Sequence, residues 1–474
     1  MNRLISTPEA NLLMLEGTKA LAEVEAEGMA IDVPYLDTVI AQVAKEIVDL
    51  ELSLQADPFW AGWKREFGAK SHMGNRQQLG MILAKMGHAS TRLTDKGLMA
   101  VDEEYLLRID NPFVKKFLAV EKKRKVKNTY LEGIKKEVFN GRLRSFFHLH
   151  TTKTWRSSSS QINFQNIPIR DPKQGKLIRK AFIPIGDDWL IVENDFKTLE
   201  VNISCCYHHD PNLIDYVKNS PPKDMHRDMA SQLYLLNTND KEYWKTKAGK
   251  DSRYCGKNGF VFPSFYGSFW AQIAPHLWEM ILERNLTVDG VSLYDHLKKK
   301  GIRELGSCDP QMPDEGTFAA HVREVERDFW GNRFKVYKQW KDDWWAAYQR
   351  DLGFRYLTGF YVYGAGYRKN DVTNYPIQGA AFHCLLWVLI RLVKWLKQNR
   401  MKSRVGGQIH DSIIGNVWRP ELQDYLNKVK ELVTVDLPKA FPWICVPMTI
   451  EAEVAEESWD GKREWTLKEG VWAA

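Results

Sequence analysis

The sequence is poor in cysteine, has no repeats or low-complexity stretch, and contains no long hydrophobic run. Six cysteines occur in 474 residues, four isolated and one adjacent pair (Cys205, Cys206), with no CxxC spacing. That excludes a disulfide framework and suits a reducing compartment. The longest apolar stretch of the C-terminal half, Ala380 to Ile390, is interrupted by His383 and closed by Arg391. Eleven residues fall short of a bilayer span, which excludes an integral membrane protein. Met1 to Glu9 lacks the charged-then-apolar pattern of a secretory signal. What remains is ordinary globular composition, 44% hydrophobic and 27% charged, over a length that requires several subdomains around more than one core.

The net charge of +7 is mild, but its distribution is uneven. Residues 115–127 carry seven Lys/Arg against one Glu, and residues 451–469 carry seven Asp/Glu against three Lys/Arg. Separated blocks suggest a basic surface for a polyanion, with solvated helix faces as the bland alternative.

Apolar spacing predicts helix over Leu12–Leu54, broken at Gly28 and Pro34, and again over Asn111–Phe139. Thr151–Asn166 reads as loop. Ala181–Ile185 and Trp189–Val192 read as strands. Trp244–Glu283 is largely helical despite Pro263. Residues 284–317 look like a loop-rich insertion, Val322–Arg350 a polar, aromatic-rich helix, and Ala380–Leu396 a buried helix. Met448–Val454 alternates with period two, a strand.

Two aspartates stand out by context. Asp195 follows the strand Trp189–Val192. Asp411 lies at the turn of a hairpin in Gln408-Ile409-His410-Asp411-Ser412-Ile413-Ile414, after Gly406-Gly407. Carboxylates at adjacent strand ends can share a pair of magnesium ions, which use few protein oxygens and leave positions for substrate phosphates. Either aspartate alone reads first as a solvated turn residue, and only its surroundings can overturn that.

The surroundings resemble family A DNA polymerases, the bacterial DNA polymerase I group, and also fit a phage-type member. Asn194-Asp195-Phe196-Lys197-Thr198-Leu199-Glu200 is similar to the family's first catalytic motif and Gln408-Ile409-His410-Asp411 to its last. Thr154-Trp155-Arg156-Ser157-Ser158-Ser159 and Asn163-Phe164-Gln165-Asn166-Ile167-Pro168 resemble the approach to the first motif. Asp224-Met225-His226, Arg253-x3-Lys257, Phe262-x3-Tyr266-Gly267 and Asn374-Tyr375-Pro376-Ile377-Gln378-Gly379 follow in family order. Weaker likeness at residues 27–32 and 454–459 extends the resemblance over nearly the whole chain. Each motif is weak alone; the ordered set is specific.

The resemblance implies an α+β right-hand polymerase with an antiparallel palm sheet, fingers and thumb. Residues 1–32, 146–205 and 371–474 would form the palm, 33–145 the thumb, and 206–370 the fingers, with an insertion at about 269–327. It implies template-directed addition of deoxynucleotides (dNTPs) to a primer 3′ end, with two Mg²⁺ ions held by Asp195, Asp411 and the Phe196 carbonyl. Arg253, Lys257 and His226 would meet the triphosphate, Phe262 and Tyr266 the sugar and templating base. Glu200 would exclude a 2′-hydroxyl. Arg156, Gln378 and His410 would test pair geometry from the minor groove, with Gln165, Asn166 and Asn374 beside them. The basic block, including Lys125, Lys127 and Thr129, would grip the duplex backbone. Primer–template DNA is then the partner, with no membrane, and a separate exonuclease, helicase or processivity factor is conceivable. The setting would be the cytoplasm of a bacterial or phage-infected cell, in replication or repair.

Three departures matter. Eight residues separate Lys257 from Tyr266 where the family has seven; a π-bulge or kink between Lys257 and Phe262 would keep both facing the nucleotide. Ser412 stands where the family has Glu, which removes a carboxylate beside the metals. Phe262, rather than Tyr, predicts strong discrimination against chain terminators. Because the resemblance starts within the first thirty residues, no 3′→5′ exonuclease is expected in the chain. Rival readings are a single-subunit RNA polymerase, opposed by Glu200, and a primer–template-binding protein without chemistry, opposed by the Asp195/Asp411 pair.

Overall fold

The computed structural model describes residues 5–474 apart from 91, 95, 169–171, 238 and 313; of the N-terminal stretch read for a signal, residues 1–4 lie outside it. A six-stranded antiparallel sheet organises the chain. Its strands are β1 (Trp189–Phe196), β2 (Arg404–Ile409), β3 (Ser412–Trp418), β4 (Ile450–Ala455), β5 (Arg463–Lys468) and β6 (Val471–Ala473), in the order β2-β3-β1-β4-β5-β6. Successive side chains of a strand point to opposite faces. Leu190 and Val192 of β1, with Ile413 and Val417 of β3, enter one apolar core; Ile191 and Ile414 enter a second. The expectation of more than one core holds, and the sheet is the wall between the two.

On the first face lie α1 (Pro8–Glu27) and the 30-residue Lys369–Gln398 helix, here α10. Gly17 admits the close packing, since a Cβ there would meet Leu386 Cδ2 at 2.7 Å. The helix α10 is longer than the apolar run that marks it. By length and composition it is the one described helix able to cross a membrane, yet most of its apolar window is buried in the protein. On the second face, α2 (Val33–Gln55) packs on α3 (Pro112–Lys125), which continues through a π turn, Val126–Leu131, to Glu137. Pro34 opens α2 rather than breaking it, at a first-turn position where no N–H is missed.

The longer helices between β1 and α10 are α4 (Leu199–His208), α5 (Met225–Tyr234), α6 (Lys247–Cys255), α7 (Trp270–Glu283), α8 (Phe318–Asp328) and α9 (Lys335–Asp351). The single helix expected over Val322–Arg350 is two, α8 and α9, joined by a π turn at Phe329–Arg333 and a kink at Phe334. The loop expected over Thr151–Asn166 contains a short strand, Ser158–Ser160, paired with Phe146–His148. A run of serines has no apolar alternation, so its pairing was invisible to periodicity. The insertion carries a two-stranded ribbon, Thr287–Val288 with Val291–Ser292, and the helix Leu293–Lys299. The expected boundary at 205/206 cuts through α4.

Asp210 joins two helices, Pro211–Lys218 and α9. Its side chain is 1% exposed. Oδ1 accepts from the N–H groups of Asn212 and Leu213, and Oδ2 from those of Val336 and Tyr337, all at 3.0–3.2 Å. One carboxylate thus caps the helix Pro211–Lys218 and the start of α9, satisfying donors that no helix can satisfy itself. Asp210→Ala is expected to cost about 2 kcal/mol. An unchanged urea midpoint for the variant would argue against the double cap.

Candidate active site

The hairpin β2–β3 turns at His410 and Asp411, with Ile409 paired to Ser412. His410 takes a positive φ of 47° at the tip. The register shifts between Val405 and Gly407, and only glycine fits at 406, where a Cβ would lie 2.5 Å from the Gly28 carbonyl oxygen. The turn is braced from below. Gln408 Nε2 donates to the His410 carbonyl at 2.8 Å, and Gln408 Oε1 accepts from Ser157 Oγ and Gln165 Nε2 at 2.8 Å each. Gln165 therefore steadies the turn through Gln408, a motif residue whose role the sequence did not show.

Register brings the two aspartates together. Ser412 pairs with Asp195 across β3 and β1, and the Phe196 N–H donates to the Asp411 carbonyl at 3.2 Å. Ser412 Oγ donates to Asp195 Oδ1 at 2.8 Å. Burial raises the Asp195 carboxyl to about 6, against the lowering effect of the Ser412 hydroxyl. Burial raises Asp411 to about 7; Arg156 opposes the shift, while Glu200 and Asp195 add to it. Asp411 Oδ1 is buried with no hydrogen-bond partner. Among the described residues no group of three or more His, Cys, Asp or Glu is placed to hold a metal. The donor set is this pair of carboxylates with an orphaned oxygen and too little positive charge. It fits a hard divalent cation, which needs few protein oxygens.

Asp195 and Asp411 line a cavity of ≈ 390 Å³ with Arg156, Phe196, Glu200, Lys257, Phe262, Tyr266, Asn374, Gln378 and His410. Glu200 accepts hydrogen bonds from both the Arg156 guanidinium and the Tyr266 hydroxyl. Arg156 Nε also donates to the Gln378 carbonyl at 3.2 Å. Asn374 Nδ2 donates to the Tyr266 carbonyl at 3.1 Å, tying α10 to the end of the helix that bears the aromatics.

A second cavity, ≈ 530 Å³, opens from Asp195 and Phe196 and is lined by Lys257, Arg253, His226, Asp224, Lys223 and Glu451 among others. Arg253 Nε donates to Asp224 Oδ2 at 2.6 Å. His226 is 7% exposed, and burial with the Arg253 and Lys257 charges lowers it to about 3, so the ring is neutral. Lys257 bridges both cavities, its ammonium 5.0 Å from the centre of the Phe262 ring. Burial lowers its pKa, Arg253 lowers it further, and Glu451, Asp195 and Asp224 oppose.

The extra residue in this helix is absorbed as expected. Residues Gly256–Val261 form a π turn between α6 and the helical turn Phe262–Phe265. Pro263 sits in the first turn of that last piece, where it needs no N–H.

The basic block behaves less simply. Lys115, Lys122, Lys123, Arg124 and Lys127 are paired with Asp110, Glu103, Glu46, Glu51 and Glu132, and Lys116 donates to Ser53. Of the seven cations only Lys125 has neither an ion pair nor a side-chain hydrogen bond among the described residues. The local charge of the sequence is largely compensated in the fold. Thr129 and Asn166 are exposed outside both cavities; the Asn166 carbonyl accepts from the Tyr130 hydroxyl at 3.1 Å.

An antiparallel sheet with paired carboxylates at its centre, facing helices that carry Arg253, Lys257, Phe262 and Tyr266, defines a right-hand polymerase fold. The sequence profile of DNA polymerase family A matches residues 45–277. DNA polymerase I of Lactococcus lactis subsp. cremoris is 25% identical over 98% of this chain and 47% of its own length. The thermostable DNA polymerase I of Thermus caldophilus is 31% identical over 93% and 47%. The DNA polymerase of Bacillus phage SP01 is 22% identical over 89% and 47%. The POL domain of Pol1 from M. smegmatis, solved in complex with DNA primer-template and dNTP, superposes with a TM-score of 0.72 at 21% identity, over 94% of this chain and 70% of that one. By these likenesses the chain resembles DNA polymerase family A. It spans about half the length of the relatives it matches.

Proposed function

We propose that this chain extends a DNA primer on a template by transferring deoxynucleoside monophosphates to the primer 3′ end. The observation that carries the reading is the Asp195/Asp411 pair, part-buried at adjacent strand ends, with both residues lining the first cavity and Asp195 also the second. Among the described residues, those of 5–32, 146–208 and 371–474 form its palm, those of 33–145 its thumb and those of 209–370 its fingers, a boundary that keeps α4 whole.

Asp195, Asp411 and the Phe196 carbonyl would hold two Mg²⁺ ions, which would supply a more acidic 3′-hydroxyl and charge for the departing pyrophosphate. Catalysis of this kind is positioning and charge neutralisation. Arg253 and Lys257 supply fixed positive charge along the second cavity, and Arg253 is held in place by Asp224. Neutral His226 offers a hydrogen bond rather than a charge. Ser412 takes the place of a carboxylate without adding negative charge, and its hydroxyl orients Asp195. Phe262 and Tyr266 present an aromatic face to the base and sugar. Arg156, Gln378 and His410 also line the first cavity, where the primer end would lie.

Glu200 is locked by Arg156 and Tyr266, so it cannot swing away from a 2′-hydroxyl. Glu200→Ala is expected to improve rNTP relative to dNTP incorporation by roughly fiftyfold. An unchanged ratio in competition assays would remove Glu200 as the sugar selector.

The test of the function is extension of a labelled primer on a DNA template with Mg²⁺, offering dNTPs or rNTPs in parallel. Extension with dNTPs alone supports the reading. Template-dependent extension with rNTPs alone would move it to an RNA polymerase, and intact binding without extension to a protein lacking chemistry.

A further inference from the structure

One charged side chain beside the nucleotide cavity has no part in the chemistry above. Lys341, in α9, is part-buried, and its ammonium donates to the Phe265 carbonyl at 2.8 Å, with the Ser264 carbonyl at 3.5 Å. It lies 4.6 Å from the Trp330 ring centre and 4.9 Å from that of Tyr337. A helix leaves its last carbonyls without partners, and cations at that end are favoured. Here the helix in question is the one bearing Lys257, Phe262 and Tyr266. Its end is held from two sides. Lys341 takes Phe265, whereas Asn374 and Asn370 of α10 take the carbonyls of Tyr266 and Gly267. The Phe265 ring is lodged against Phe329, Phe334 and Tyr337.

We infer that Lys341 is a positioning residue for the incoming nucleotide: capping the Phe265 carbonyl, it fixes the end of the fingers helix so that Tyr266 stays on Glu200 and Phe262 stays over the cavity. This rests on the polymerase reading only for the word nucleotide; the cap itself does not.

The cap is proton-dependent. Burial of the ammonium, with a contribution from Lys369, lowers Lys341 to about 7. The charged groups around it are Lys369 from the first turn of α10 and Asp342 on α9, which pair with each other. His208 of α4, stacked on Tyr337, is lowered to about 3 by burial and carries no charge at neutral pH. Lys341 is therefore cationic below pH 7 and holds the carbonyl most strongly there; above it the cap weakens.

Hydrogen exchange in the DNA-free, metal-free protein tests the cap without any catalysis. The reporters are the amides of Tyr266, Gly267 and Ser268, which bond to the carbonyls of Phe262, Ser264 and Pro263. At pH 6.5, Lys341→Met is expected to speed their exchange roughly tenfold and Lys341→Arg less than about threefold, with peptides of α2 and α3 unchanged. In single-nucleotide incorporation, Lys341→Met should raise the dNTP KM roughly tenfold with kcat within about threefold. The wild-type KM should rise with pH through 7, and the variant's should rise less. Titration of Asp195 and Asp411 is common to both proteins and cancels in that comparison. Unchanged exchange in a folded Lys341→Met overturns the cap, and faster exchange with an unchanged KM overturns its role in nucleotide positioning. Faster exchange in the variant with no incorporation by the wild type faults the polymerase reading instead. Should Lys341→Met fail to fold, wild type and Lys341→Arg are compared at matched pH from 6 to 8.5. The wild-type exchange rate relative to the arginine variant must then climb through pH 7, and a constant ratio overturns the inference.

Discussion

Asp411→Asn is expected to abolish primer extension, lowering the rate by roughly a thousandfold or more, because it removes an anionic oxygen from a centre that neutralises several kcal/mol of developing charge. Primer–template binding should persist, since the hairpin is braced by Gln408, Gln165 and Ser157 rather than by the Asp411 carboxylate. The same substitution has a second consequence that needs no substrate. Asp195 at about 6 and Asp411 at about 7 lie well above an ordinary carboxyl. A raised folded pKa favours the protonated form in the native state, so its contribution to stability is full below about pH 4 and disappears as pH climbs to 7. The EDTA-treated wild type should thus lose melting temperature between pH 4 and 7, and Asp411→Asn should lose less. Mg²⁺ should raise the melting temperature more at pH 8 than at pH 5. A magnesium effect independent of pH would count against metal binding by this pair.

The second large effect concerns Lys257. Its ammonium lies between the two cavities, part-buried beside Phe262 and near Asp195. A preorganised charge in a partly desolvated site stabilises transferred phosphate far more than one in water. Lys257→Ala should lower kcat/KM for dNTP by two to three orders of magnitude, and Lys257→Arg should recover only part of it, because a planar guanidinium does not replace a point charge. Single-turnover incorporation measures this. A loss below about tenfold would mean that the triphosphate is held elsewhere, with Arg253 the next residue to remove.

Local chemistry made much of this site readable in one dimension. Strand and hairpin patterning placed Asp195 and Asp411 at a strand end and a turn, because alternation with period two marks a half-buried strand and glycines mark its break. The count from Lys257 to Tyr266 pointed to the π turn, since one additional residue in a helix must be accommodated somewhere. Other features had no local signal. The seven cations of residues 115–127 looked like a free basic surface, yet five are paired with acids, three of them on other helices. The roles of Gln408, Ser412 and Lys341 depend on partners up to 251 residues distant. Neither periodicity nor motif spacing encodes such partners.

The amino-acid sequence by itself determined the α+β class, the order of the motifs, the identity of the two carboxylates and the helical spacing of the groups that face them. The spacing follows from short-range rules, side-chain period, turn chemistry and residue type, whereas the class and the two carboxylates were implied by the resemblance of the ordered motifs. The tertiary structure decided which charges remain available and which are spent on one another, that Asp411 keeps a buried oxygen without a partner, and that Ser412 binds Asp195. It also decided that Lys341 closes the helix bearing the aromatics. The reason is that electrostatics and hydrogen bonding act through space at a few ångströms, and only folding sets which distant residues come that close.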